Sequence, residues 1–310
     1  MSRTSEVEIK KKESRIIRSL KLVLKIVITI LCFWYISTKI NFSEALKALL
    51  KANWFLLFVA LLFFILSKIL SAFRLNIYFR NIRLQLSEWK NIKLYWLGMF
   101  YNLFLPGAIS GDAYKVVLLN RKYKTSYKKA SAAVLLDRFS GVLALGIILS
   151  VYGVIVLHNY QYDVLLIFAA ILAFAGFYFV IRFLFKDFLQ SFFPTFLWAL
   201  AVQVSQVVCV YFIMLSLHLP LSQHEWVFIF LLAAVISVLP ISLGGGLGTR
   251  EVVFAGGANF FHLDPQTGVI ISLLFYLLTV IGSAWGLYYN FHDPLKDTVD
   301  TSNSTGNHTN

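Results

Sequence analysis

Apolar residues in this chain fall in long runs rather than in stripes. The runs Leu20–Ser37, Trp54–Leu66, Val142–Leu157, Val164–Ile181, Phe196–Leu217 and Gly268–Tyr289 carry few polar positions. A soluble amphipathic helix would show a polar face at helical spacing. A bilayer core of about 30 Å needs about 20 mostly apolar residues as helix, and several of these runs reach or approach that length. The pattern predicts an all-α polytopic membrane protein with about six full spans, or six to eight membrane segments by hydropathy.

Two apolar stretches are interrupted. Residues 94–109 are broken by Leu105-Pro106-Gly107 and followed by Gly111-Asp112. Trp226–Leu239 is broken by Pro240 and by Gly244-Gly245-Gly246-Leu247-Gly248, after which Val252–Phe261 resumes. Proline removes a helix hydrogen bond and clashes with the preceding turn. Freed backbone is tolerated at membrane depth only where protein or water surrounds it. Both stretches are therefore expected to be re-entrant broken-helix hairpins. A short segment, Asn41–Ala52, places Phe42, Ala45, Leu46, Leu49 and Leu50 on one helical face behind a Ser43 cap, the signature of an interfacial helix. Ser222-Gln223-His224-Glu225 reads as a capping box ahead of the second hairpin.

Charge orients these elements. Lys10, Lys11, Lys12, Arg15, Arg18, Lys21 and Lys25 put the N-terminus in the cytoplasm. A second span, about 53–73, returns to a loop bearing Arg74, Arg80, Arg83, Lys90 and Lys93. Both flanks of the first hairpin are basic, with Lys115, Arg121, Lys122, Lys124, Lys128 and Lys129 on the far side, so it enters from inside. Neither flank of the second is basic, so it enters from outside. Spans at about 130–157, 164–181, 194–217 and 266–290 complete the path, leaving the C-terminus cytoplasmic. Each half then reads span, span, hairpin, span, over about 20–158 and 163–291. Gly/Pro breaks at matching places in oppositely oriented halves point to an inverted repeat, with a binding site at the midplane between the hairpins.

Composition agrees with the pattern: 59% of residues are hydrophobic and 14% charged, against about 25% charged in soluble domains. Mean hydropathy is +0.74. The formal charge of +13 would suggest nucleic acid in a soluble protein, but here the cations flank spans, so membrane lipids rather than nucleic acid are the expected partners. Leu20–Ser37 lacks a following cleavage site and reads as a span, not a leader. The expected organisation is a basic cytoplasmic segment 1–19, one integral membrane domain 20–292, and a polar, disordered cytoplasmic tail 293–310. Cys32 and Cys209 both sit in apolar runs and give no disulfide or metal framework.

Four charges stand in or against apolar sequence: Asp137, Arg138, Arg250 and Glu251. Each would cost roughly 2.5–3.5 kcal/mol at the centre of a lipid-facing helix, so they must pair or face a hydrated cavity. Gly244, Gly245, Gly246 and Gly248 would let backbone approach a ligand closely. The half-helix that follows offers free N–H groups to an anion, and Arg250 adds a bidentate phosphate donor. Asp112 stands at the matching start of the first half-helix, with Lys115 one turn on. The competing reading makes Asp112 a cap and pairs Arg250 with Glu251 or Asp137. Asn102, Gln203, Gln206 and Asn259 lie in apolar surroundings and read as interhelical hydrogen-bonding groups. The histidines have no metal-ligand spacing, and no nucleotide loop, nucleophile elbow or H-E-x-x-H is present, so no cofactor and no metal are expected.

Asn102-Leu103-Phe104-Leu105-Pro106, Gly111-Asp112, Asp137-Arg138, and Leu239-Pro240-Ile241 with Gly244–Gly248 and Arg250-Glu251 resemble the flippase-like membrane region of lysylphosphatidylglycerol synthases. The resemblance runs from about residue 15 to 292. One departure is Asp137, where many relatives have glutamate before the arginine, which keeps the charge and shortens the reach. The resemblance implies a multi-pass plasma-membrane protein of lipid translocation or lipid-linked glycan pathways. The full-length synthases add a soluble domain of a few hundred residues that transfers lysine from charged tRNA. The short tail to Asn310 leads us to expect a stand-alone membrane domain and not an enzyme. The leading expectation is flipping of an anionic phospholipid or a polyprenyl-phosphate-linked substrate. The alternatives are a membrane component of a phospholipid aminoacyltransferase and an accessory scaffold for a membrane glycosyltransferase or lipid-modifying enzyme. The site residues expected for binding are Asn102, Pro106, Gly111, Asp112, Lys115, Asp137, Arg138, Pro240, Gly244, Gly245, Gly246, Gly248, Arg250 and Glu251.

Overall fold

The computed structural model describes residues 47, 50, 52–104, 110–238 and 249–295. Its elements are α1 (Trp54–Asn81), α2 (Glu88–Phe104), α3 (Ser110–Tyr123), α4 (Tyr127–Leu157), α5 (Tyr160–Leu184), a 3-10 turn (Lys186–Ser191), α6 (Phe192–Ser216), α7 (His224–Val238), α8 (Thr249–Phe260) and α9 (Pro265–Phe291). Among the described residues all regular structure is helical, and five helices are long and apolar enough to cross a membrane. The protein is a polytopic membrane protein. The first expected span, Leu20–Ser37, and the tail from residue 296 lie outside the described residues, as does the Asn41–Ala52 segment apart from Lys47, Leu50 and Ala52.

Helix ends follow local chemistry. Asn53 caps α1, its Oδ1 accepting from the N–H of Phe55 at 3.0 Å and Leu56 at 3.3 Å. Asp264 caps α9, where Pro265 occupies the first turn at no hydrogen-bond loss. The expected capping box at Ser222 is displaced: α7 begins at His224, and the Ser222 carbonyl accepts the His224 N–H at 3.0 Å. Exposed Trp54, Trp89, Tyr127 and Tyr160 stand at helix starts, where an aromatic belt meets the headgroup layer.

The four hairpin helices are short: α2 has 17 residues, α3 14, α7 15 and α8 12. At 1.5 Å per residue the described part of each spans about 18–26 Å, less than the hydrocarbon core. α2 packs on α3 and α7 on α8. The first pair is drawn together by glycine, because a Cβ on Gly111 would overlap the Gly98 carbonyl. In the second, a Cβ on Gly257 would press to 2.7 Å from Ile229. Lipid tails are as apolar as the helix faces, so close approach over small residues supplies much of the association.

The packing pairs repeat. α1 lies along α6 at the centre; α2 packs on α9 and α7 on α4; α3 packs on α4 and α8 on α9. Exchanging α1–α4 with α6–α9 in order returns the same set of pairs. α5 lies at the edge, packed on α4 and the 3-10 turn and, through Phe174 and Tyr178, on Phe192 of α6, with most of its other side chains exposed. Its exposed Leu165, Phe168, Ile171 and Leu172 form a lipid-facing surface. Inside, Phe64, Phe230 and Phe275 meet edge to face at the junction of α1, α7 and α9.

Candidate functional site

A seam of charge runs through this apolar interior. It begins on α1, whose buried face carries Leu57, Ala60, Phe64, Ser67, Ser71, Arg74 and Tyr78 at helical spacing. Ser67 and Ser71 return their hydroxyls to the carbonyls of Phe64 and Ser67, so both are satisfied within the helix. Arg74 has no such local partner. Its Nε donates to Asp137 Oδ1 on α4 at 2.7 Å, with the two side chains 5% and 8% exposed. Gly141, one turn on from Asp137, leaves room for the guanidinium, since a Cβ there would stand 3.2 Å from Nη1. That Nη1 is buried and has no hydrogen-bond partner among the described residues.

This corrects the sequence reading of Arg74. A basic residue just past the second apolar run was expected to mark a cytoplasmic loop. Instead α1 continues to Asn81, and Arg74 is a buried partner of Asp137. Of the same expected loop, Lys90 and Lys93 belong to α2, whereas Arg80 is exposed and pairs with Glu88 at 2.5 Å.

Arg138, next along α4, turns to another carboxylate. Its Nε donates to Asp112 on α3. Asp112 also accepts from Lys115 at 2.9 Å, and the Lys115 ammonium sits 4.3 Å from the centre of the Tyr95 ring on α2. Asn102 near the end of α2 accepts the Gly111 N–H at 2.8 Å, which fixes the start of α3 and so the position of Asp112. Asn102, Gly111, Asp112, Lys115 and Arg138 therefore come together, with Asp137 beside them through its neighbour. Gln203 on α6 bonds across helices, its Nε2 donating to the Gly141 carbonyl at 3.1 Å.

The second hairpin supplies the other end. Arg250 and Glu251 open α8. Arg250 Nε donates to Ser237 on α7 at 3.2 Å, and its guanidinium carbon lies 5.1 Å from the centre of the Phe275 ring. Its Nη1 is buried and unpartnered among the described residues. Glu251 accepts from Ser272 on α9 at 3.1 Å. Asp137 is thus taken by Arg74 and is not the Arg250 partner that the competing reading allowed. Pro106, Pro240, Gly244, Gly245, Gly246 and Gly248 lie outside the described residues.

Sequence reasoning passed over Lys68. It stands inside the second span as an intramembrane cation, and that position alone is the signal that would have found it. Its ammonium lies 4.7 Å from the centre of the Phe64 ring, and its charged neighbours include Arg250 and Arg74. Among the described residues, the seam holds Lys68, Arg74, Lys115, Arg138 and Arg250 against Asp112, Asp137 and Glu251, five cations to three carboxylates. Two positive charges are left over in a region where each unpaired one costs roughly 2.5–3.5 kcal/mol. An arrangement of this kind attracts an anion. Among the described residues no three His, Cys, Asp or Glu side chains gather as a metal site would require.

Comparison with known proteins points the same way as the architecture. One match, 25% identical over 126 residues, is to a UPF0104 membrane protein of Pyrococcus horikoshii. It covers 40% of this chain and 36% of that protein, so the matched stretch spans about a third of the relative's length. No solved structure matches. The family model for the lysylphosphatidylglycerol synthase TM region matches residues 22–193 and 187–286, which together take in both hairpins and every seam residue named above. With its all-helical membrane architecture and a match across most of its length, the chain belongs to the lysylphosphatidylglycerol synthase transmembrane-region family.

Proposed function

We propose that the protein moves the headgroup of an anionic phospholipid, or of a polyprenyl-phosphate-linked substrate, across the bilayer through the charged seam. The observation that carries this reading is the excess of two cations between two broken hairpins in an otherwise apolar interior. A fixed pore for water or small ions would not need that bias, and a purely structural network would neutralise it. The two halves, about 20–158 and 163–291, act as inverted repeats that rock about the α1–α6 contact, exposing the seam to one face and then the other. Arg250 and Glu251 at the second hairpin, with Asp112, Lys115 and Arg138 at the first, contact the substrate. In this reading both termini lie in the cytoplasm of a plasma membrane, as the basic flanks favour.

A scaffold role has one observation in its favour. Arg121, Lys122, Lys124, Lys128, Lys129, Arg182 and Lys186 are exposed on neighbouring helix ends, a surface suited to an acidic enzyme partner or anionic lipid. The test is a transbilayer assay on purified protein in liposomes, scoring labelled phosphatidylglycerol and a polyprenyl phosphate. Arg250→Ala and Glu251→Gln run beside the parent. Flipping by the parent that both changes abolish, in folded protein, supports transport. Absence of flipping with every lipid, with or without an ion gradient, moves the weight to the scaffold.

A further inference from the structure

Lys68 is the one seam cation without an assigned role. It lies 14 residues after Trp54 and 13 before Asn81, about 20 Å from either end of α1 and so within the membrane-spanning part of that helix. Among the described residues it makes no hydrogen bond or ion pair. Its charged neighbours Arg250 and Arg74 are both cations; Arg74 is neutralised by Asp137 and Arg250 is offset by the adjacent Glu251, so Lys68 is the charge no carboxylate answers among the described residues. Lys68 and Arg250 approach one aromatic pair from two helices. Phe64 beneath Lys68 meets Phe275 edge to face at 5.8 Å, and Phe275 carries Arg250 at 5.1 Å. Ring contacts attract a cation without cancelling its charge. Among the described residues Arg250 Nη1 has no hydrogen-bond partner and stands beside them as a donor.

We propose that Lys68 and Arg250 together form the phosphate-binding point of the transport path, Arg250 as a directional donor and Lys68 as a point charge. The ligand class is a lipid-borne phosphate carrying net negative charge. This rests on the transport reading above for its role, but the binding itself is testable without transport. The rings explain why the site suits a lipid in transit: they hold the two cations side by side within the apolar interior without cancelling the charge on Lys68.

The experiment uses the full chain, purified in detergent and stripped of lipid, with retention measured by native mass spectrometry. The probes are phosphatidylglycerol, a polyprenyl phosphate, diacylglycerol as a phosphate-free control, and inorganic phosphate as competitor. Lys68→Met is expected to weaken both phosphate lipids by about tenfold or more, as loss of a charged hydrogen bond would. Diacylglycerol retention stays unchanged, and Lys68→Arg keeps most of the binding. Lys68→Met should also raise the melting temperature of the lipid-free protein, because an uncompensated intramembrane charge is removed. Those opposite signs separate a ligand contact from a packing role. Parent-like phosphatidylglycerol binding by Lys68→Met, equal loss of diacylglycerol, or a variant that melts lower or does not fold would each overturn the proposal. Displacement by inorganic phosphate alone, with no preference for either lipid, would overturn the lipid source. Binding without flipping would refute the transport reading and leave the site standing; flipping untouched by Lys68→Met would do the reverse.

Discussion

Replacing Asp137 by Asn removes one charge from the Arg74–Asp137 pair while keeping its shape. The pair is 2.7 Å long and 5% and 8% exposed, so water screens it little. At an effective dielectric near 20 its Coulomb attraction is about 6 kcal/mol. Most of that offsets the desolvation of both ions, so the pair itself contributes little net stability. The single change is costly for another reason, because it leaves Arg74 charged and buried, with its Nη1 already lacking a partner. Breaking a buried pair in this way costs about 3–5 kcal/mol. At roughly 2 °C per kcal/mol for a chain of this size, the melting temperature in detergent should fall by about 6–10 °C. The double variant Arg74→Met with Asp137→Leu removes both charges and should melt at or above the parent, since apolar replacement of a buried pair is often neutral or stabilising by about 1–4 kcal/mol. Intrinsic tryptophan fluorescence on heating reads both. If Asp137→Asn melts with the parent, or if the double variant melts as low as the single, the pair is not buried and coupled as described.

Gly111→Ala would drive a Cβ into the Gly98 carbonyl, and Gly286→Ala one into the Trp96 carbonyl; backbone cannot swing aside, so each should lose about 1–3 kcal/mol. Gly146→Ala on α4 meets nothing within 4 Å and should instead gain about 0.5–1 kcal/mol from helix propensity, so equal melting shifts for all three would contradict the packing. Asn102→Ala removes the acceptor for the Gly111 N–H and should cost about 1 kcal/mol, read as faster hydrogen exchange at the start of α3; unchanged exchange there would count against the cap. Asp264 at the α9 cap has its carboxyl held below its ordinary value by hydrogen bonds from the Thr267 hydroxyl and N–H and the Gln266 N–H. Its folded value lies below the unfolded one, so its stabilisation is complete above about pH 4 and fades as pH falls through the folded value; Asp264→Asn should flatten that acid limb of the melting curve, and an unchanged acid limb would remove Asp264 from the account.

Much of the architecture was legible along the chain. Hydropathy is local, and a helix long enough to cross a bilayer announces itself by composition alone. The spans near 130–157, 164–181, 194–217 and 266–290 correspond to α4, α5, α6 and α9 within a few residues. The two interruptions were legible for the same reason, and they fall in 105–109 and 239–248, outside the described residues, between α2 and α3 and between α7 and α8. Asp112 and Arg250 in the first turns of α3 and α8 follow from where those breaks fall.

Partnership was not legible, because the sequence specifies which residues share a helix face but not which face meets it. Arg74 and Asp137 are separated by 63 positions, and no periodicity links them. Near the end of an apolar run, Arg74 has the same local pattern as a topology-setting cation, and only the packing of α1 beside α4 makes it a buried ion. Lys68 was visible as an intramembrane charge, yet its setting between Arg250 and Arg74 depends on α8, α9 and α1 meeting over Phe275 and Phe64. The sequence by itself determined a helical membrane protein with two broken hairpins, since burying apolar residues and satisfying backbone groups in lipid are obligations each segment meets alone. The tertiary structure decided which charges neutralise one another and which are left to attract a ligand, since that balance is struck only between helices.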